Sequence, residues 1–216
     1  MSLFSLFSPN TSYPAFWEAY VNSFDKETSD YVDDTRFVAI DCETTGLHKQ
    51  KDRMLSLGAI AIEDKKIQVH EAMETFVAQK YFRKDTVAIH GIRKSGRSKM
   101  SELEALESFL DFISNAVLIG HHITFDLAMI NQALKRHGLK KLKNQTIDTG
   151  RFYRDHIQPG FEAERHISLD ELCKILKIRM KDRHTALGDA YLSGLAFIKM
   201  LGKSKLEPPI KLKQIL

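Results

Sequence analysis

Asp41 and Glu43 stand two residues apart, directly after the apolar run Phe37-Val38-Ala39-Ile40. In a strand, positions i and i+2 share a face, so both acids point one way and Cys42 the other. Carboxylates held this close repel, and their oxygens suit hard divalent ions such as Mg²⁺ or Mn²⁺. Two more acids stand in comparable places. Asp126 closes the stretch Gly120-His121-His122-Ile123-Thr124-Phe125-Asp126, in the first turn of a helix expected after a buried strand. Asp189 ends the stretch His184-Thr185-Ala186-Leu187-Gly188-Asp189. Five steps on an ideal helix turn through about 500°. His184 and Asp189 therefore converge only if His184 lies on the preceding loop and Asp189 inside the helix. Each group alone has an ordinary reading: a solvated strand end, a helix N-terminal acid complementing the dipole, or a surface histidine and a surface aspartate.

Hydrophobic periodicity supplies the elements that must position these groups. Strands are predicted at 37–40, 54–62 (broken by Gly58) and 67–77, with Glu63-Asp64-Lys65-Lys66 as a hairpin turn. Ser101 and Glu104 form a capping-box pattern ahead of a helix whose apolar face is Leu103, Leu106, Leu110 and Ile113. A strand at 116–120 leads into a helix at 124–137 with Ile130 and Leu134 inward, stopped by Gly138. A weak strand at 146–148 follows, then a helix opened by Ser168 and Glu171 and running through Leu172, Ile175 and Leu176, then a long helix at 185–201. Antiparallel strands followed by strand–helix alternation predict an α/β sheet with helices on its faces. Ligands of such sheets sit at the carboxyl ends of strands, which is where the acids fall.

In their joint order the motifs resemble the DEDDh 3′–5′ exonucleases, the group that includes the proofreading epsilon subunit of bacterial DNA polymerase III. That family's Asp-x-Glu-Thr-Thr-Gly is matched by Asp41-Cys42-Glu43-Thr44-Thr45-Gly46, its His-Asn-x-x-Phe-Asp by His121 to Asp126, and its His-x-Ala-x-x-Asp by His184 to Asp189. Ile89-His90-Gly91-Ile92 matches a further signature, and the likeness covers about residues 36–201. One departure is His122, where the family commonly has Asn. The resemblance implies an RNase H-like mixed sheet flanked by helices, with two divalent cations, Mg²⁺ or Mn²⁺, held by Asp41, Glu43, Asp126 and Asp189. Asp41 would bridge the ions, Glu43 and Asp189 would complete one site, and Asp126 would serve the other. His184 would be the general base for the attacking water, and nucleoside 5′-monophosphates would leave from a 3′ end. Substrate contacts are implied at Thr44 and Leu47, near the terminal 3′-hydroxyl and the last base, and at His90 and Phe125, lining the nucleotide pocket. The substrate expected is DNA, single-stranded by preference. The alternatives are an exoribonuclease and a non-catalytic nucleic-acid-binding or polymerase-associated scaffold subunit.

Composition agrees with a nuclease without requiring one. Of 216 residues, 43% are hydrophobic and 28% charged, an ordinary globular balance that argues against disorder throughout. No run approaches the ~20 apolar residues of a membrane helix, and the N-terminal stretch lacks the basic flank of a signal peptide. Cys42 and Cys173 are too few for a disulfide framework or a four-cysteine zinc site, so a cytoplasmic protein is expected. The net charge is +4, with basic residues bunched at Arg93, Lys94, Arg97 and Lys99, at Lys135, Arg136, Lys140, Lys141 and Lys143, and at Arg179, Lys181 and Arg183. These clusters suit a polyanion, or merely solvated faces and a helix end.

Three segments are expected: an N-terminal helical extension at 1–35, an exonuclease domain at 36–201, and an irregular tail at 202–216. After Pro14, read as a first helical residue, Phe16, Trp17, Tyr20, Val21 and Phe24 recur at helical spacing. Such a stripe needs a cover, either the body of the same chain, which is favoured, or a partner. Without a long C-terminal extension or a full clamp-binding motif, a stand-alone nuclease of DNA repair or turnover is expected.

Overall fold

The computed structural model describes residues 13–26, 29–80, 87, 88, 90–93, 98–159 and 166–216. A five-stranded sheet has the order β3-β2-β1-β4-β5. It comprises β1 (Phe37–Thr44), β2 (Met54–Glu63), β3 (Lys66–Phe76), β4 (Val117–Gly120) and β5 (Thr146–Asp148). The first three pair antiparallel, while β4 and β5 run parallel to β1. The β2–β3 turn places Asp64 and Lys65 at φ 50° and 58°. Two consecutive left-handed residues match the right-handed twist of a hairpin.

Helices cover both faces. On one side lie α1 (Ala15–Asn22), α2 (Glu102–Ile113) and α3 (Thr124–Arg136), over Val38, Ile40, Leu57, Ala59 and Leu118. On the other lie α4 (Thr149–Phe152), α5 (Leu169–Ile175) and α6 (Ala186–Leu201), over Phe37, Ala39, Ile60, Ile62 and Ile119. Local sequence sets their starts. The Ser101 side chain accepts from the Glu104 N–H while Glu104 accepts from the Ser101 N–H, and Ser168 and Thr185 accept from the Glu171 and Gly188 N–H groups. Each such cap stabilises its helix by about 1 kcal/mol. Helix α6 lies close to the sheet because it presents Gly194, whose missing side chain would meet Ala39 Cβ at 3.2 Å.

The extension docks on the body. Trp17 and Tyr20 are buried. The Tyr20 hydroxyl donates to Asn144 Oδ1 at 2.6 Å and accepts from the Lys143 N–H at 2.8 Å. Pro14 sits one position earlier than expected: its backbone is still extended, and its carbonyl accepts from the Trp17 and Glu18 N–H groups. The tail is irregular, as expected, apart from a short turn at Leu212–Gln214 and one bridge at Lys211, but it is docked. Ile210, Leu212 and Ile215 are buried in the α6-side core, and the backbone pairs with the extension through Val32 N–H to Ile210 O and Leu212 N–H to Asp30 O. Apolar residues at 210, 212 and 215 thus extend the core beneath the sheet's α6 face. Ile175 points outward, 41% exposed, and Leu103 is only half-buried. Phe109 fills the α2 face instead.

Candidate active site

The parity of β1 decides where its acids go. Phe37 and Ala39 enter the α6-side core, while Val38, Ile40 and Cys42 enter the other. Asp41 and Glu43 continue the first set and so face α6. Opposite Asp41 in the register stands Gly58. A side chain there would lie 2.2 Å from the Ala186 carbonyl carbon and 2.3 Å from the Leu187 nitrogen. Gly58 thus lets the first turn of α6 rest on the sheet, bringing Asp189 down to the strand acids. Ligand oxygens of Asp41, Glu43 and Asp189 lie within 4.8 Å of one another.

Asp126 arrives from the opposite layer, in the first turn of α3. Strand β4 accompanies β1 only as far as Ala39. Beyond that point the Cys42 N–H is taken by Asp126 Oδ1 at 2.9 Å. Acids from both helical layers therefore meet at the carboxyl end of β1.

The electrostatics show the strain of this gathering. Burial, then the charges of Asp126, Asp189 and Glu43, hold Asp41 well above the ordinary carboxylate range, and Arg183 opposes them. Glu43 is pushed up to about 7, by burial first and then by Asp189 and Asp126. Asp126 also reaches about 7 through burial, against the hydrogen bond from Cys42. Asp189 Oδ1 is buried and has no hydrogen-bond partner among the described residues. A cation would relieve the repulsion and satisfy that oxygen. Hard oxygen donors suit Mg²⁺, Ca²⁺ or Mn²⁺, so the residues present fit a divalent ion.

His184 lies on the turn before α6 at φ 62°, and its side chain is exposed. Among the described residues its ring makes no hydrogen bond or ion pair. Leu47 is 83% exposed beside the β1 terminus. Thr44 is buried and donates to the Gly46 carbonyl at 2.8 Å. His90 is buried, its Nδ1 accepting from the Ile92 N–H at 3.0 Å while Nε2 has no partner. Ile89, of the same signature, lies outside the described residues. Phe125 is half-buried against the α2–α3 core.

The histidine pair before α3 divides its labour. Both nitrogens of His121 are engaged, Nδ1 with Thr149 Oγ1 at 2.8 Å and Nε2 with the Ile167 carbonyl at 2.9 Å. Burial pushes its pKa down to about 4. His122 adopts φ 57°. Asn and His are both enriched in the left-handed region, so histidine fits at the place where the resembled motif has asparagine.

Several contributors were not singled out from the sequence as parts of the site. Asp148 accepts from the Ile123 N–H at 3.1 Å and from the Gly150 and Arg151 N–H groups, stapling the α3 entrance to α4. Arg183, expected in a basic surface cluster, is instead consumed by Asp170 and Asp189. Its position directly before His184 was the available signal. The central cluster is also partly engaged: Arg136 pairs with Glu102, Lys140 lies over the Tyr13 ring and Lys143 over Phe24. Lys94 and Arg97 lie outside the described residues.

The chain is similar to known proteins. An Exonuclease family model (RNase_T) matches residues 38–197. A PolC-type DNA polymerase III of Caldanaerobacter subterraneus subsp. tengcongensis is 33% identical over 169 residues, covering 77% of this chain and 12% of that protein. The chain thus spans roughly a tenth of the PolC-type relatives' length. A DNA polymerase III subunit epsilon of Aquifex aeolicus is 30% identical over 172 residues, 78% of this chain and 81% of that one. The E. coli Exonuclease I structure with a dT13 oligonucleotide superposes with a TM-score of 0.64 at 18% identity, covering 79% of this chain and 42% of that one. At that identity the likeness speaks to the fold, which is RNase H-like. Among the described residues no helix is long and apolar enough to cross a membrane.

Proposed function

The chain belongs to the exonuclease family whose model spans residues 38–197, and from that premise we propose that it removes nucleotides one at a time from the 3′ end of DNA. The carrying observation is the convergence of Asp41, Glu43 and Asp189 within 4.8 Å, with Asp126 one hydrogen bond away through Cys42. A binding module gains nothing from mutually repelling carboxylates at a strand end.

Asp41, Glu43 and Asp189 would hold one divalent cation, with Asp41 and Asp126 holding a second, Mg²⁺ or Mn²⁺ in both places. Such ions supply Lewis-acid charge to the scissile phosphate and its leaving oxygen. His184 takes the proton of the attacking water. Water adds to phosphorus, the P–O3′ bond breaks, the shortened strand keeps a 3′-hydroxyl, and the released nucleotide carries a 5′-phosphate. The exposed side chain of Leu47 wedges against the terminal base, the backbone at Thr44 meets the 3′-hydroxyl, and His90 and Phe125 line the nucleotide pocket. Single-stranded DNA is the favoured form, supported by the oligonucleotide bound to Exonuclease I.

The test uses 5′-labelled single-stranded DNA and RNA of one sequence, with Mg²⁺ or with EDTA. Stepwise shortening of DNA that needs Mg²⁺ is expected. Faster shortening of RNA moves the substrate to RNA, and binding without shortening makes the chain a scaffold.

A further inference from the structure

The turn that carries His184 is held more firmly than an exposed loop requires. Asp182 and His184 both adopt left-handed backbone, at φ 53° and 62°. Thr185 Oγ1 donates to the Asp182 carbonyl at 2.7 Å and accepts from the Gly188 N–H at 3.1 Å. A side chain at Gly188 would lie 2.0 Å from the Asp182 carbonyl oxygen, so the turn is folded directly onto α6. Between the two left-handed residues stands Arg183, its side chain 22% exposed. Its Nε donates to Asp170 Oδ1 at 2.6 Å, on α5. Its Nη1 donates to Asp189 Oδ2.

We propose that Arg183 is a positioning residue: its guanidinium fork holds Asp189 by one oxygen so that the other faces the cation site, and it ties the His184 turn to α5. This rests on the cation-dependent reading of the site given above. A carboxylate with one oxygen fixed by a planar, rigid donor loses its freedom to rotate. The remaining oxygen, Oδ1, is buried without a hydrogen-bond partner among the described residues, and Asp189 belongs to the group of ligand atoms within 4.8 Å. The guanidinium charge also opposes the carboxylate repulsion at Asp41 and Glu43. A cation beside a cation site weakens metal binding, but Asp170 offsets that charge. What Arg183 adds is orientation, together with attachment of the turn.

The experiment is Mn²⁺ titration of the full chain without substrate, read by the electron paramagnetic resonance of free Mn²⁺, for wild type, R183Q, R183K and D170N. Melting temperature without metal is recorded for each. Outer partners of metal ligands typically contribute about 10–100-fold to affinity, and R183Q is expected to bind Mn²⁺ that much more weakly. R183K keeps the charge but lacks the fork, and is expected to stay closer to R183Q than to wild type. D170N leaves the Asp189 contact and is expected to weaken binding only severalfold. On single-stranded DNA, R183Q lowers kcat and leaves KM nearly unchanged. If R183Q binds Mn²⁺ as tightly as wild type or more tightly, or R183K matches wild type, orientation is refuted and Arg183 is a counter-charge. Should R183Q fail to fold, D170N decides: wild-type affinity in D170N overturns the clamp. Wild-type chain that binds no Mn²⁺ overturns the cation reading itself, and the clamp with it.

Discussion

At α1, polar groups that enter the interior find partners. The Tyr20 hydroxyl bonds Asn144 and the Lys143 N–H, and Asn144 in turn donates to the Ser114 and Ala116 carbonyls. Around them Trp17, Tyr20 and Phe24 pack ring against ring. At the end of β1 the reverse holds. Carboxylates crowd one another, burial raises the pKa values of Asp41 and Glu43, and an Asp189 oxygen has no partner among the described residues. Both regions adjoin one sheet, yet one lowers the free energy of the fold and the other raises it. Unsatisfied polar groups of this kind persist where something other than stability selects them. The difference separates residues that hold the chain together from residues that act on a ligand, and it can be tested from either side.

The largest effect is expected at the strained end. Asp41→Ala or Asp189→Ala should abolish hydrolysis of single-stranded DNA; the metal-free melting temperature should hold or rise in Asp41→Ala, because a repelling group has gone, but not in Asp189→Ala, which also takes a partner from Arg183. Near-wild-type turnover in either variant would sink the assignment of these acids. His184→Ala should leave Mn²⁺ binding intact and lower kcat by about 10²–10⁴-fold, the usual contribution of a positioned general base. Full activity with an unchanged pH profile would remove His184 from the mechanism.

The docked helix should answer in the opposite currency. Trp17→Ala deletes a buried ring and should cost about 3–5 kcal/mol, a fall in melting temperature on the order of 10 °C for a chain of this size. The kcat measured well below the transition should stay at the wild-type value. An unchanged melting temperature would mean that α1 waits for a partner and does not support the body.

The smallest effect concerns pH. Glu43 and Asp126 are raised to about 7 in the fold, whereas an unfolded chain ionises its acids near 4. The folded state therefore binds protons more tightly. This contribution to stability is full below about pH 4 and is lost as pH rises towards about 7. Melts with a chelator should show it, and Mg²⁺ should raise the melting temperature more at pH 8 than at pH 5. An equal gain at both pH values would show that these carboxylates are not protonated in the metal-free fold.

Much of this was legible in residue order. Strand parity placed Asp41 and Glu43 together and Cys42 apart, because side-chain alternation is a local property of extended backbone. Capping residues marked the starts of α2 and α5, because a cap is satisfied within its own first turn; the Thr185 cap of α6 was not singled out. That His184 must precede the helix and Asp189 lie inside it was the condition helical geometry set for the two to converge, and the backbone meets it. Pro14 was misplaced by one position, since proline tolerates both the cap and the first turn. The irregular tail was legible but its docking was not: Ile210, Leu212 and Ile215 have no periodic pattern of their own, and only the tertiary fold buries them in the α6-side core.

What the sequence by itself determined is the set of chemical groups and the local element that carries each: acids at a strand end, at the first turn of α3 and at the first turn of α6. Only the tertiary structure decided how those elements meet. Gly58 reads in sequence as a break in a strand, but in the fold it is the contact that lowers α6 onto Asp41. Asp126 comes from the opposite layer and reaches β1 because β4 stops short and leaves the Cys42 N–H open. Arg183 looks like one more surface cation until α5 and α6 bring Asp170 and Asp189 to it. The physical reason is range: periodicity and capping act over a few residues, whereas the approach of two charges is set by the packing of layers far apart in the chain.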